Sequence, residues 1–343
     1  MASRRQVPDF SKLSVAVVGD LISDHYLVCE PRGLSREAPV MVLRLAFDQF
    51  GAGGAANVAR NLRTLGARTY AFGAVGRDAR GRELIGQLEA DGIEVGGLVN
   101  VPEWTTPTKT RVVAAEPRRN LQQVLRIDRE PNGPVPREAR QEVARHLRAL
   151  AGQVDALVVS DYEYGLLDAE VSAAVMELDL AGVPVVLDPR SSYRGFEGVC
   201  ALTPNVDELA GFTGRRPERL ANPRELVRAA GELLEAARAR HLLVTRGNLG
   251  MALFGPGLDP EGVAVEASGA GDVTDVSGAG DTAAAVFALA LAAGMQGPDA
   301  MVLANAASGV VVMENGAAVC NPAQLREALV NAPAPVRLVE ARL

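Results

Sequence analysis

Aromatic residues make up only 4% of the 343, and cysteine is scarcer still. Cys29, Cys200 and Cys320 are odd in number, far apart and free of any CxxC pair, which excludes a disulfide framework and a cysteine zinc site. His25, His146 and His241 show no metal-ligand spacing. A basic excess is missing too. The 35 Lys+Arg stand against 42 Asp+Glu, a formal charge of −7, unlike the basic domain of a nucleic-acid binder. An anionic substrate stays open, because local fields decide that more than the total. The uncharged stretch 282–298 is interrupted by Gly294 and Gln296 and falls short of the roughly 20 apolar residues of a membrane span. No apolar segment follows Met1-Ala2-Ser3-Arg4-Arg5, as a signal peptide requires. A cytoplasmic protein that binds neither nucleic acid nor membrane is expected.

Glycine, by contrast, is abundant at 35, above its usual share of about 7%. It has no period, so collagen is excluded. Apolar runs with polar ends recur at residues 15–20, 156–161, 183–188, 201–205 and 241–245, and helical patterns alternate with them at 55–65, 81–90, 137–150, 169–180 and 223–240. Such alternation predicts an α/β fold with a mostly parallel sheet covered by helices on both faces. Ligands then sit at the carboxyl ends of the strands, where Asp20, Asp161, Asp188 and Asn205 fall. No linker divides the chain, so one domain over 1–343 is expected. Strands within about 25–50 and 108–127 are left over as a small β lid, with 116–120 as the turn between two of them.

The chemistry concentrates in Asp275-Val276-Ser277-Gly278-Ala279-Gly280-Asp281-Thr282, followed by a strong helix pattern. Gly278 and Gly280 allow a tight turn that presents N–H groups ahead of a helix N-terminus, a nest for phosphate oxygens. Asp281 at its mouth can take a proton from an attacking hydroxyl, or it can simply cap the helix. Ser268-Gly269-Ala270-Gly271-Asp272 repeats the same five letters, but a short β-prone stretch follows it. Without a helix behind it that copy has no dipole to offer, so it reads as a turn. Gly51-Ala52-Gly53-Gly54-Ala55-Ala56-Asn57 fits the G-x-G-x-x-A of a dinucleotide loop, with Asp78 in place of the ribose acid. It does not follow the first buried strand, however. It reads instead as a close backbone approach to a substrate, with Asn57 on a hydroxyl, or as a tight turn. Asn205 and Glu208 have capping-box spacing and could alternatively order Mg²⁺ and its waters.

These segments resemble a known family. Residues 275–281 look like the signature of the ribokinase-like (PfkB) carbohydrate kinases. Gly53-Gly54-Ala55-Ala56-Asn57 resembles their N-terminal signature, and Asn205-Val206-Asp207-Glu208 their N-x-x-E motif. Order and spacing agree over nearly the whole chain. Residues 17–20, 35–40, 108–112, 122–128, 160–162, 202–208, 243–246 and 304–312 are further similar to the branch that phosphorylates heptose 7-phosphate in ADP-heptose synthesis. No H-x-G-H of a nucleotidyltransferase occurs, so only the kinase step is expected.

The resemblance implies a ribokinase-like three-layer fold and an ATP-dependent transfer to a sugar hydroxyl, best matched by D-glycero-β-D-manno-heptose 7-phosphate giving the 1,7-bisphosphate. Asp20, Asp24, Gly53, Gly54 and Asn57 would hold the sugar. ATP would lie across Asn205, Glu208, Thr245, Gly247 and the segment near Asn305. The amides of Gly278, Ala279 and Gly280 would stabilise the transferring phosphoryl group, and Asp281 would be the base. Mg²⁺ would sit near Glu208, and K⁺, used by many relatives, near Asp275. Lys109, Arg111 and Arg190 are candidates for a distal substrate phosphate, or are solvated surface charges. Tyr164 and Arg190 stand where that branch has lysine, which points also to other sugars, sugar phosphates or nucleosides as substrates. A non-catalytic sugar-binding protein on the same fold is a further alternative. The lid strands leave edges through which a homodimer is expected.

Overall fold

The computed structural model describes residues 6–114, 122–269, 275–314 and 316–340. Among these the strands in chain order are β1 (Ser14–Gly19), β2 (Leu21–Leu34), β3 (Met41–Gly54), β4 (Arg68–Gly76), β5 (Glu94–Val101), β6 (Thr108–Ala114), β7 (Gln122–Arg129), β8 (Ala156–Ser160), β9 (Val185–Asp188), β10 (Ala201–Leu202), β11 (His241–Thr245), β12 (Met251–Phe254), β13 (Val263–Val265) and β14 (Val336–Arg337). The helices are α1 (Ala55–Thr64), α2 (Ala79–Ala90), α3 (Arg137–Arg148), α4 (Ala169–Leu180), α5 (Val206–Phe212), α6 (Pro223–Ala237), α7 (Ala279–Ala292), α8 (Gly297–Val311) and α9 (Pro322–Val330).

Side chains of β1 show why the sheet is covered twice. Val15 and Val17 enter one core and Ala16 and Val18 the other, as the two-residue period of a strand requires. The first core is closed by α1, α2, α7, α8 and α9, the second by α3, α4, α5 and α6. The ten-stranded sheet runs β14-β13-β12-β11-β10-β9-β8-β1-β4-β5. It is parallel from β11 to β5 and antiparallel from β11 through β14. The short antiparallel end was not legible in the sequence, because runs of two to four residues carry no periodicity. No helix among the described residues is long and apolar enough to cross a membrane.

A second sheet, β3-β2-β6-β7, forms the expected lid. Both faces of it are specified by register. Paired residues share a face, so Leu27, Cys29, Leu45, Val112, Ala114, Leu125 and Ile127 lie together on one side. Asp24, Tyr26, Lys109 and Arg111 lie on the other, because Asp24 pairs with Lys109 and Tyr26 with Arg111. The turn at 116–120 lies outside the described residues.

The fold disposes of the dinucleotide loop. Gly51 to Gly54 ends β3, a lid strand, instead of following a strand of the central sheet. Asp78 caps α2 through the Gly81 N–H at 2.8 Å, and also accepts from the Thr106 N–H at 2.8 Å and hydroxyl at 2.9 Å. The carboxylate thereby ties α2 to the segment that leads into lid strand β6, with no ribose role left for it.

Candidate active site

Parallel strands end on one edge, and their ends set the site. Asp20 follows β1, Asp161 follows β8, Asp188 closes β9, Asn205 follows β10 and Thr245 closes β11. Helix α7 points its N-terminus at the same edge. Gly278 precedes it with φ 79°, a left-handed conformation open to glycine. A Cβ on Gly278 would come within 2.5 Å of Asn57 Nδ2, so the missing side chain is what lets α1 approach α7. The N–H groups of Gly280 and Asp281 have no acceptor among the described residues, and space around Gly280 is open. These are the orphan donors of a helix start, ready for an anion.

Asp281 is 4% exposed. Asn57 Nδ2 donates to its Oδ2 at 3.0 Å, and the Tyr162 phenol donates to its Oδ1 at 2.9 Å. Burial raises its pKa to about 6, against those two donors. Asp281 therefore does not cap α7 with its side chain, and this favours the acid–base role over the capping role. Together with Asp161, Asp188, Asn205, Glu208 and Thr245 it lines a single pocket beside Gly278 and Gly280. Asp188 is buried to a pKa of about 8, its carboxylate accepting from the Thr203 hydroxyl at 2.7 Å. Burial likewise raises Asp161 and Glu208.

The other expected residues divide. Asp24 is buried under the lid and paired with Arg111 at 2.5 Å, so Arg111 is committed to that carboxylate and not free for a distal phosphate. Gly53 leaves room for Asp24, since a Cβ there would lie 2.7 Å from its Oδ2. Gly54, at φ 57°, packs against the Asp20 carbonyl. Asp20 itself, raised to about 7 by burial, accepts the N–H groups of Tyr162 and Tyr164 on Oδ2, which fixes the loop after β8. Arg190 pairs with Glu208 at 3.2 Å on the Asn205 side of the pocket, away from the lid. The end of β9 delivers it next to α5, in the same pocket as Asp281. Lys109 makes no ion pair among the described residues. Its ammonium lies 4.6 Å from the centre of the Tyr162 ring, and burial lowers its pKa.

Asn205 and Glu208 form the full capping box of α5, at 2.9 and 2.8 Å. Gly247, at φ 57°, opens a short turn after β11. Asn305 Nδ2 donates to the Glu266 carbonyl and the Ser268 hydroxyl, at 2.9 and 2.8 Å, and so holds residues 266–268 against α8. Each oxygen of Asp275 accepts a backbone N–H, from Ser277 at 2.9 Å and Gly316 at 3.1 Å, which knots the loop before α7. Asp272 of the repeated five letters lies outside the described residues. Tyr162 was missed as a functional side chain; its signals were its place two residues past the end of β8 and its membership of the family-like segment 160–162.

The pattern of the pfkB carbohydrate kinases matches residues 12–324. The chain belongs to the pfkB family of carbohydrate kinases. Among relatives of this pfkB chain, the bifunctional protein HldE of Desulfatibacillum aliphaticivorans is 38% identical over 94% of the chain and 64% of its own length. That of Geobacter metallireducens is 37% identical over 91% and 62%. The chain thus spans under two thirds of these relatives. In fold it is similar to Arabidopsis thaliana ribokinase complexed with ribose and ATP, with TM-score 0.70 and 22% identity over 92% of this chain and 98% of that one. Phosphofructokinase-2 from Escherichia coli in complex with substrates and products gives TM-score 0.74 at 18% identity over 92% and 97%. The ribokinase-like three-layer fold with its lid is therefore the fold of this pfkB member.

Replacing Gly278 with Ala tests the nest. Positive φ costs an alanine about 1–2 kcal/mol, and the new methyl displaces Asn57 and with it Asp281. A misplacement of about 1 Å lowers turnover about 100-fold. We expect folded protein with that loss, read by circular dichroism and ADP release from ATP with the preferred sugar.

Proposed function

We propose that the chain is an ATP-dependent sugar kinase whose general base is Asp281. The observation that carries this is a buried carboxylate at the mouth of unpaired helix N–H groups. A substrate hydroxyl placed between them loses its proton to Asp281 while the Gly280 and Asp281 amides stabilise charge on the transferring phosphoryl group. The pocket beside Asn205, Glu208 and Thr245 takes the nucleotide. Its buried carboxylates suit a divalent cation, yet no cluster of three metal-ligating side chains occurs among the described residues. Mg²⁺ carried on phosphates and waters, near Glu208, fits that arrangement. It supplies charge neutralisation there. The loop tied by Asp275 is the place for K⁺ in this reading.

The sugar lies under the lid, near Asp24, Gly53, Gly54 and Asn57. Similarity to HldE proteins supports heptose 7-phosphate as its identity, phosphorylated on the anomeric hydroxyl. Lys109, in no ion pair among the described residues and near Asp281 and Asp24, is the cation offered to that substrate. A cytoplasmic location, where ATP is plentiful, fits this reading.

A second copy of the chain is the occupant proposed for the lid's outer face. Leu45, Leu125 and Ile127 are each 53% exposed on one apolar side of a sheet whose edges, β3 and β7, are both unpaired. Burying that face in a dimer would also hold the lid over the sugar.

Asp281→Asn should fold and bind ATP while kcat drops about 100- to 10,000-fold. In the unmutated enzyme the base must be ionised, so kcat/KM is full above the Asp281 pKa of about 6 and is lost as pH falls through it. A panel of heptose 7-phosphate, fructose 6-phosphate, ribose and a nucleoside, with ADP detection, tests the substrate. Turnover is expected with heptose 7-phosphate; an inert heptose 7-phosphate beside another active sugar overturns that identity. Absence of ADP with every sugar, with sugar binding retained, favours a non-catalytic binder. Leu45→Glu with Ile127→Glu should convert a dimer to a monomer by light scattering, and a monomeric parent protein refutes the dimer.

A further inference from the structure

Lid, base and central sheet meet at one side chain that the proposed reaction does not itself require. Tyr162 lies in the loop after β8. Its N–H is fixed by Asp20 at 2.9 Å, its phenol donates to Asp281 Oδ1 at 2.9 Å, and its ring carries the Lys109 ammonium from β6. Asn57 holds the other oxygen of Asp281. Both oxygens of the carboxylate are thus pinned by rigid donors from different elements, α1 and the β8 loop.

We infer that Tyr162 is a positioning residue for Asp281, holding its carboxylate in the ionised form and in one orientation, and that Lys109 braces it from the lid. This rests on the reading of Asp281 as the base. A hydrogen bond donated to a carboxylate favours its charged form. Burial raises the Tyr162 phenol well above its ordinary pKa, so it stays a donor throughout the working range. The charged groups facing Asp281 act in both directions. Asp24 on β2 repels its charge and Lys109 on β6 attracts it, while Asp188 at the end of β9, raised to about 8, is protonated near the Asp281 pKa of about 6. Within that balance the phenol is a contribution that can be removed without altering a net charge. A tyrosine kept only for packing would make the same ring contacts without the bond to Asp281.

Tyr162→Phe retains the ring and its contact with Lys109 and deletes the donor. The acid limb of kcat/KM should then move up by about one pH unit. Below the limb the rate falls about tenfold, and it recovers at higher pH, with KM for ATP unchanged. 3-Fluorotyrosine at position 162 is nearly isosteric and a stronger donor, so its limb should move down; it carries the test if the Phe variant does not fold. Acid limbs unmoved in the folded variants overturn the inference, and with Asp281→Asn inactive they leave the base in place. An active Asp281→Asn overturns the base itself.

Discussion

Burial of the Asp281 carboxylate at the start of α7 is the constraint around which the site is built. An ionised carboxylate without partners in such a place is costly, and the chain meets that cost with donors from two distant elements. Each donor imposes a further condition. Asn57 reaches Asp281 only because Gly278 has no side chain. Tyr162 reaches it only because Asp20 holds the loop after β8. The parallel sheet sets all three at one edge, since Asp20 and Asp161 follow neighbouring strands.

The same economy shapes the Asn205 side of the pocket. Glu208 serves α5 as a capping-box residue while its other oxygen meets Arg190. The cluster of carboxyl groups in the pocket is not read from the total charge of −7. It is local, and it arises where strands deliver Asp161 and Asp188 beside one another. Phosphate recognition can rest on backbone N–H groups and a cation without a cluster of basic side chains.

Much of this was legible in the sequence, for physical reasons. Runs such as 15–20 and 156–161 announce buried strands, and glycines next to a helix pattern announce the nest. Asn205 and Glu208 had capping-box spacing, one of two readings left open there, and the structure shows the box formed. What was not legible depends on partners far apart in the chain. The Arg111–Asp24 pair spans two strands, the turning of Asn305 toward residues 266–268 depends on how α8 packs, and Arg190 could not be assigned to the Glu208 side before the strand order was known. Tyr162 had no motif of its own, and its importance appears only when the phenol is seen on Asp281.

The lid shows how two faces share one stretch of chain. Along β2, Asp24, Tyr26 and Val28 face inward and Leu27 and Cys29 outward. In the proposed reading the inward face meets the sugar and the outward face meets a second copy of the chain. Substitutions can revise either face independently. A single inserted residue before Asp24 would exchange them, sending Asp24 and Tyr26 to the outer surface and Leu27 inward, so such a strand should tolerate replacement far better than a change of length.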